Sequence, residues 1–187
     1  MLVIVSVLTL AAATFAAWPR GSETRAPDPC GATSAKPAEI GLVAAGRSTL
    51  CLVNRARTQR GLTPLRENGV LSAASLEHSG DMVRGHYFEH TSPDGRSVGD
   101  RLRAVGYSRG FSASAGENIA FGVGAKSTPA SIVDAWMRSP GHRADILRPA
   151  FTEIGVGIAL GVPSGKTDGA TYTTDFGGVV DPSLPQG

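Results

Sequence analysis

The sequence predicts an α+β domain, and three patterns carry that expectation. Helix-period segments fill its first two thirds, period-two strand segments cluster near its end, and no alternating strand and helix rhythm of a parallel sheet occurs between them. Ala38 to Arg60 has helix formers and no proline, ends at Gly61, and sets Leu50, Val53 and Asn54 on one face. Asn68 can cap a second helix over Val70 to Arg84, whose stripe is Leu71, Ala74, Ser75, His78 and Met82. Ser97 with Asp100 resembles a capping box and opens a short helix that runs out at Gly106. Thr128-Pro129 starts a helix through Ile132, Val133 and Trp136, and Ser139-Pro140 starts another that stops before Pro149. Ile154, Val156, Ile158 and Leu160 then alternate with Gly155, Gly157 and Ala159. This is a strand with one nearly bare face, against which something must pack closely. After a loop over 161–169, Ala170 to Val180 returns as the second arm of a hairpin.

Composition bounds the function. The chain has 187 residues, and 18 Lys+Arg against 16 Asp+Glu give a formal charge of +2, without the one-sided basic stripe of a nucleic-acid binder. Nucleic acid is therefore not an expected partner, and a monomer is the favoured state. Two cysteines exclude a disulfide-dense miniprotein and a four-thiolate zinc site.

The uncharged run from Leu2 to Ala17 is too short and too alanine-rich for a standard membrane span, and reads as a signal peptide over residues 1–17 or, alternatively, as a retained N-terminal anchor. Either way the rest of the chain is expected outside the cytoplasm. Residues 18–37, rich in Pro, Ser, Thr and charge, read as a linker, 38–181 as the domain and 182–187 as a tail. Export places Cys30 and Cys51 in an oxidising compartment, where a disulfide between them closes a loop of about 20 residues, worth on the order of 3 kcal/mol. Two buried free thiols are the other reading.

Several catalytic patterns fail. Gly165-Lys166-Thr167 has Leu160 where a phosphate-binding loop needs glycine, and Gly155-Val156-Gly157 lacks the third glycine of a dinucleotide site. His86-Tyr87-Phe88-Glu89-His90 fits H-x-x-E-H, but Gly85 before it and Thr91-Ser92-Pro93 after it prevent a continuous helix. On extended backbone its two histidines stand roughly 13 Å apart and cannot share one zinc. His78, with Asp81 one turn later, reads as a satisfied core or rim histidine, His86 as solvent-facing, Asn118 as a partner for buried backbone groups and Trp136 as core.

Three blocks remain that concentrate chemistry. They are Phe88-Glu89-His90-Thr91-Ser92-Pro93-Asp94-Gly95, Gly116-Glu117-Asn118-Ile119-Ala120, and Ala135-Trp136-Met137-Arg138-Ser139-Pro140-Gly141-His142-Arg143. Together with the closing FTEIGVGIA and TYTTDFG segments, they make the chain, from about Cys51 to Gly177, resemble the CAP superfamily of cysteine-rich secretory proteins, antigen 5 and pathogenesis-related 1, in its bacterial secreted branch. The resemblance implies a single-domain α-β-α sandwich with a central cleft. It assigns His90 as the first cleft histidine, Glu117 as the acidic residue of the G-E-N motif and His142 as the second histidine. Where eukaryotic members carry a second glutamate this chain has Ser139, which weakens any mechanism needing paired carboxylates.

Two neutral imidazoles with a nearby carboxylate can hold Zn2+ or another divalent cation, with His90 and His142 as ligands. The same three residues can instead form a hydrogen-bonded cluster that ties their segments together. The function expected is that of a secreted binding module whose cleft takes a metal and lipid or cell-envelope ligands. The alternative is a metal-dependent hydrolase acting on peptide or envelope material, with Glu117 as candidate base.

Overall fold

The computed structural model describes residues 28–107 and 112–180. The hydrophobic run and tail read from the sequence lie outside them. Helices α1 (Pro37–Ile40), α2 (Leu42–Thr58), α3 (Gly69–Gly85), α4 (Val98–Ala104), α5 (Pro129–Arg138) and α6 (Pro140–Ile146) accompany strands β1 (Arg66–Glu67), β2 (Ser112–Val123), β3 (Glu153–Leu160) and β4 (Gly169–Val180). The sheet runs β1-β3-β4-β2, with β1 parallel to β3 and the other pairs antiparallel. Helix α3 covers one face, and α2 and α5, with α6 beside α5, cover the other. The chain is thus the α-β-α sandwich that the resemblance implied.

Most of the hydrophobic core lies under α2 and α5. Ala45, Val53, Trp136, Ile154, Tyr172 and Phe176 pack there with almost no exposure. Arg57 is buried in the same layer without a carboxylate partner. Its guanidinium donates instead to the carbonyls of Thr63, Ile146, Arg148 and Phe151 at 2.8 to 3.1 Å, which ties α2 to the end of α6.

The bare face of β3 does what the alternation predicts. A Cβ at Gly155 would stand 2.1 Å from the backbone of Leu71, and one at Gly157 2.1 Å from the backbone of Ser75 and Leu76, so α3 lies directly on the strand. At that distance short polar side chains bridge the layers. Ser75 Oγ donates to Asp175 Oδ2 at 2.8 Å, and Ser79 Oγ donates to Gly157 O at 3.0 Å and pairs with the Thr173 hydroxyl at 2.8 Å. Asn68 caps α3, its Oδ1 accepting from the N–H groups of Val70 and Leu71, and Ser97 with Asp100 closes a full capping box on α4.

Three features depart from the sequence reading. The first long helix is broken at Gly41, whose φ of 83° no helix interior adopts, so α1 and α2 are separate. Strand β2 has no counterpart in that reading, because the first half of SASAGENIAFGV is small and polar and only Ile119, Phe121 and Val123 alternate. The segment read as a linker is packed from Asp28 onward: Cys30 bonds to Cys51, Ser48 Oγ donates to Cys30 O, and Ala130 N donates to Thr33 O. No helix among the described residues is long and apolar enough to cross a membrane.

Gly157→Ala is expected to cost about 3 kcal/mol or more in urea unfolding, because the backbone of α3 must retreat. Gly141→Ala, where a Cβ meets nothing within 4 Å, is expected to stay within about 0.5 kcal/mol of wild type.

Candidate functional site

Strand β2 is an edge strand, and the site forms where segments from both layers reach over that edge. Glu117, on the α3 side, is buried and meets three basic side chains. Arg101 from α4 donates from Nη2 to Oε2 at 2.5 Å, His90 donates from Nδ1 to Oε1 at 2.7 Å, and His78 Nε2 stands 3.8 Å from Oε1. Arg101 also donates to the carbonyls of His90 and Arg96, at 2.9 and 3.2 Å, so it clamps the His90 loop as well as the carboxylate. A buried carboxylate needs such partners to remain charged.

His142 approaches from the other layer. Ser139 ends α5 and precedes Pro140 at the first position of α6, and its Oγ pairs with His142 Nδ1 at 2.8 Å. Asn118 Nδ2 donates to the His142 carbonyl at 3.0 Å, fixing α6 to β2. Both cleft histidines therefore have Nδ1 engaged within the protein. His90, Glu117, Ser139, His142, Asp145 and Arg148 line a cavity of about 500 Å3. A second cavity of about 240 Å3 adjoins it at Ser139 and His142 and is apolar, lined by Ile119, Trp136 and the edge-to-face pair Phe88 and Phe121, whose centroids are 4.8 Å apart.

The charges set the titration. The hydrogen bond to Glu117 pushes His90 above its ordinary value. Burial and then the His90 charge push His142 below its own. Desolvation raises the Asp145 carboxyl and lowers His78. Behind Glu117, burial and the neighbouring Glu117 charge hold Asp175 well above the ordinary carboxylate value of 3.8.

The residues chosen from sequence thus meet in one cavity, and Ser139 orients a histidine rather than adding charge. His86 does not join them: it caps α3 in the left-handed region and donates from Nδ1 to Pro163 O at 2.9 Å. His78 is fully buried and donates to Glu89 O at 3.1 Å, yet it belongs to the Glu117 cluster. Trp136 is core, with Nε1 donating to Ile119 O. Sequence reasoning missed Arg101, Asp145 and Asp175. Asp145 alone left a signal, since it follows His142 by three residues on a short helix.

Among the described residues, no group of three or more His, Cys, Asp or Glu side chains is arranged to hold a metal ion. A cation in the cleft would have two protein nitrogens, from His90 and His142, because the oxygens of Glu117 are held by Arg101 and His90.

An α-β-α sandwich whose edge strand carries a buried glutamate into a cavity lined by histidines from two separate layers is the architecture of an SCP-type domain. The chain belongs to the cysteine-rich secretory protein family, whose model matches residues 50–174. It is 44% identical over 106 residues to the uncharacterized protein YkwD of Bacillus subtilis, a match covering 57% of this chain and 39% of that one. It is 34% identical over 114 residues to the uncharacterized membrane protein YlbC of the same organism, covering 60% and 31%. The chain therefore spans less than half the length of these curated relatives. An extracellular SCP-domain protein of Bacillus anthracis superposes with a TM-score of 0.61 at 30% identity, over 72% of this chain and 40% of that one. An outer surface protein of Borrelia burgdorferi superposes with a TM-score of 0.62 at 17% identity, over 78% and 97%, a likeness of fold alone.

Two outcomes are expected. Arg101→Gln strands the Glu117 charge and should cost about 3 kcal/mol or more, whereas Arg101→Gln combined with Glu117→Gln should cost clearly less than the two separate losses added; urea unfolding of the four proteins measures both. For Asp175, the unfolded chain releases its proton at an ordinary carboxylate pKa while the folded chain still holds it, so stability falls as pH rises above that value. Asp175→Asn should therefore gain on wild type by about 1 kcal/mol or more between pH 5 and pH 8, read from thermal unfolding.

Proposed function

We propose that the chain is an extracytoplasmic binding module whose cleft engages its ligand through the Nε2 edges of His90 and His142. The observation that carries this reading is the state of Glu117. Hydrolysis needs a base free to take a proton from water, whereas this carboxylate is buried, with one oxygen held by Arg101 and the other by His90. It serves as an anchor that aims His90. With both Nδ1 atoms engaged, each ring offers its remaining nitrogen to the cavity, the donor set of a borderline divalent cation such as Zn2+. The adjoining apolar cavity suits the apolar part of a lipid or cell-envelope ligand. Export is supported by the hydrophobic N-terminal run, the Cys30–Cys51 bond and the extracellular relative from Bacillus anthracis.

The rival reading is a metal-dependent hydrolase of peptide or envelope material. It draws on Asp145, a carboxyl raised by desolvation in the same cavity and so suited to carry a proton.

Calorimetric titration with zinc at pH 7.5 separates them. His142→Ala is expected to lose at least about tenfold in affinity, and Ser139→Glu, which adds a carboxylate, to gain. Equal affinity in wild type and His142→Ala would leave the histidines as structural groups only. Zinc-dependent turnover of peptide or envelope substrates, abolished by Asp145→Asn, would establish the hydrolase instead.

A further inference from the structure

A groove of about 460 Å3, separate from the cleft, runs beside the disulfide and is lined by Pro29, both cysteines, Arg47, Leu50 and Arg55 among others. Its two cysteines are not equivalent in their surroundings. Cys30 is 6% exposed, whereas Cys51 is half-buried on α2. Arg55 donates from Nη2 to Cys30 Sγ at 2.8 Å and also pairs with Asp28. Asp28 in turn accepts the Cys30 N–H at 2.9 Å, which holds this sulfur against the guanidinium. Asp28 balances the charge of Arg55, so the exposed Arg47 is the cation the groove offers to a visitor.

Thiol–disulfide exchange attacks the accessible sulfur and expels the one better stabilised as a thiolate. Access and stabilisation here point the same way. We propose that this groove is a thiol-exchange site, in which an anionic low-molecular-mass thiol attacks Cys51 and displaces Cys30. The incoming thiolate supplies the electron pair of the new bond to Cys51 Sγ. The Cys30–Cys51 bond breaks, and its pair leaves on Cys30 Sγ as a thiolate facing Arg55. One disulfide is consumed and one formed, so no separate oxidant or reductant is needed. The product is Cys51 carrying the small thiol, with the segment around Cys30 released from its covalent tie to α2.

The test treats the oxidised full chain, without denaturant at pH 8, with glutathione (anionic) or cysteamine (cationic), followed by acid quench, alkylation with N-ethylmaleimide and peptide mapping. Glutathione is expected on Cys51 and the alkyl group on Cys30, in more than about tenfold excess over the reverse. Arg55→Gln should slow adduct formation about tenfold. Arg47→Gln should erase the preference for glutathione over cysteamine, compared per thiolate. Equal labelling of the two cysteines, adducts mainly on Cys30, an unchanged rate in Arg55→Gln, or no adduct on the folded protein would each overturn the proposal.

Discussion

The architecture turns on the contact between α3 and β3. Gly155 and Gly157 leave the strand without side chains on one face, and the helix backbone fills the space that a methyl group would need. Over the two glycines the interface is bridged by serine and threonine hydroxyls that satisfy one another and the backbone, and a smaller apolar cluster of Leu71, Ala74, Leu102 and Tyr107 packs beside them. This short spacing carries His78 in to the Glu117 carboxylate. The molecule therefore has its larger apolar core beneath α2 and α5, and beneath α3 a smaller one crossed by hydroxyl bridges. The candidate site sits where the two meet at the edge of the sheet.

That placement divides the work between the walls. The α3 side supplies charge: an acidic residue on a strand, a guanidinium on α4, and a loop imidazole drawn to the pair. The other side supplies a ring fixed by a neutral hydroxyl, with Asp145 and Arg148 at the rim of the same cavity. The two histidines thus sit in unlike surroundings, and their proton affinities move in opposite directions from the same starting value. The polar cavity also opens directly onto an aromatic one, so a ligand reaching the histidines meets Phe88 and Phe121 within the same groove.

Much of this was legible in the chain. The alternation of glycine with Ile154, Val156 and Ile158 foretold both the strand and the close approach, because only a bare face leaves so regular a trace. Asn68, and Ser97 with Asp100, marked helix starts by local chemistry that the tertiary structure had no reason to override. The three motif blocks located His90, Glu117, Ser139 and His142. Strand β2 stayed hidden because its first half, SASAGEN, is small and polar, and the alternation of Ile119, Phe121 and Val123 that follows is too short to mark twelve residues as a strand. Arg101 and Asp175 were invisible for a related reason: a charged residue on a short helix or a late strand is ordinarily solvated. Only the folding of distant segments shows that these two are buried against Glu117.

Arg57 gives the cleft wall a further property. It holds the α6 end of the cavity by donating to four peptide carbonyls, and none of its partners can gain or lose a proton in the range where proteins operate. The opposite wall carries His90, whose hold on its proton is strengthened by the bond to Glu117. The backbone tie of α6 is thus indifferent to acidity, whereas the imidazoles that line the groove, His90 from one wall and His142 from the other, are not. A change of acidity would therefore act on this cleft through its rings and leave the frame that holds α6 in place.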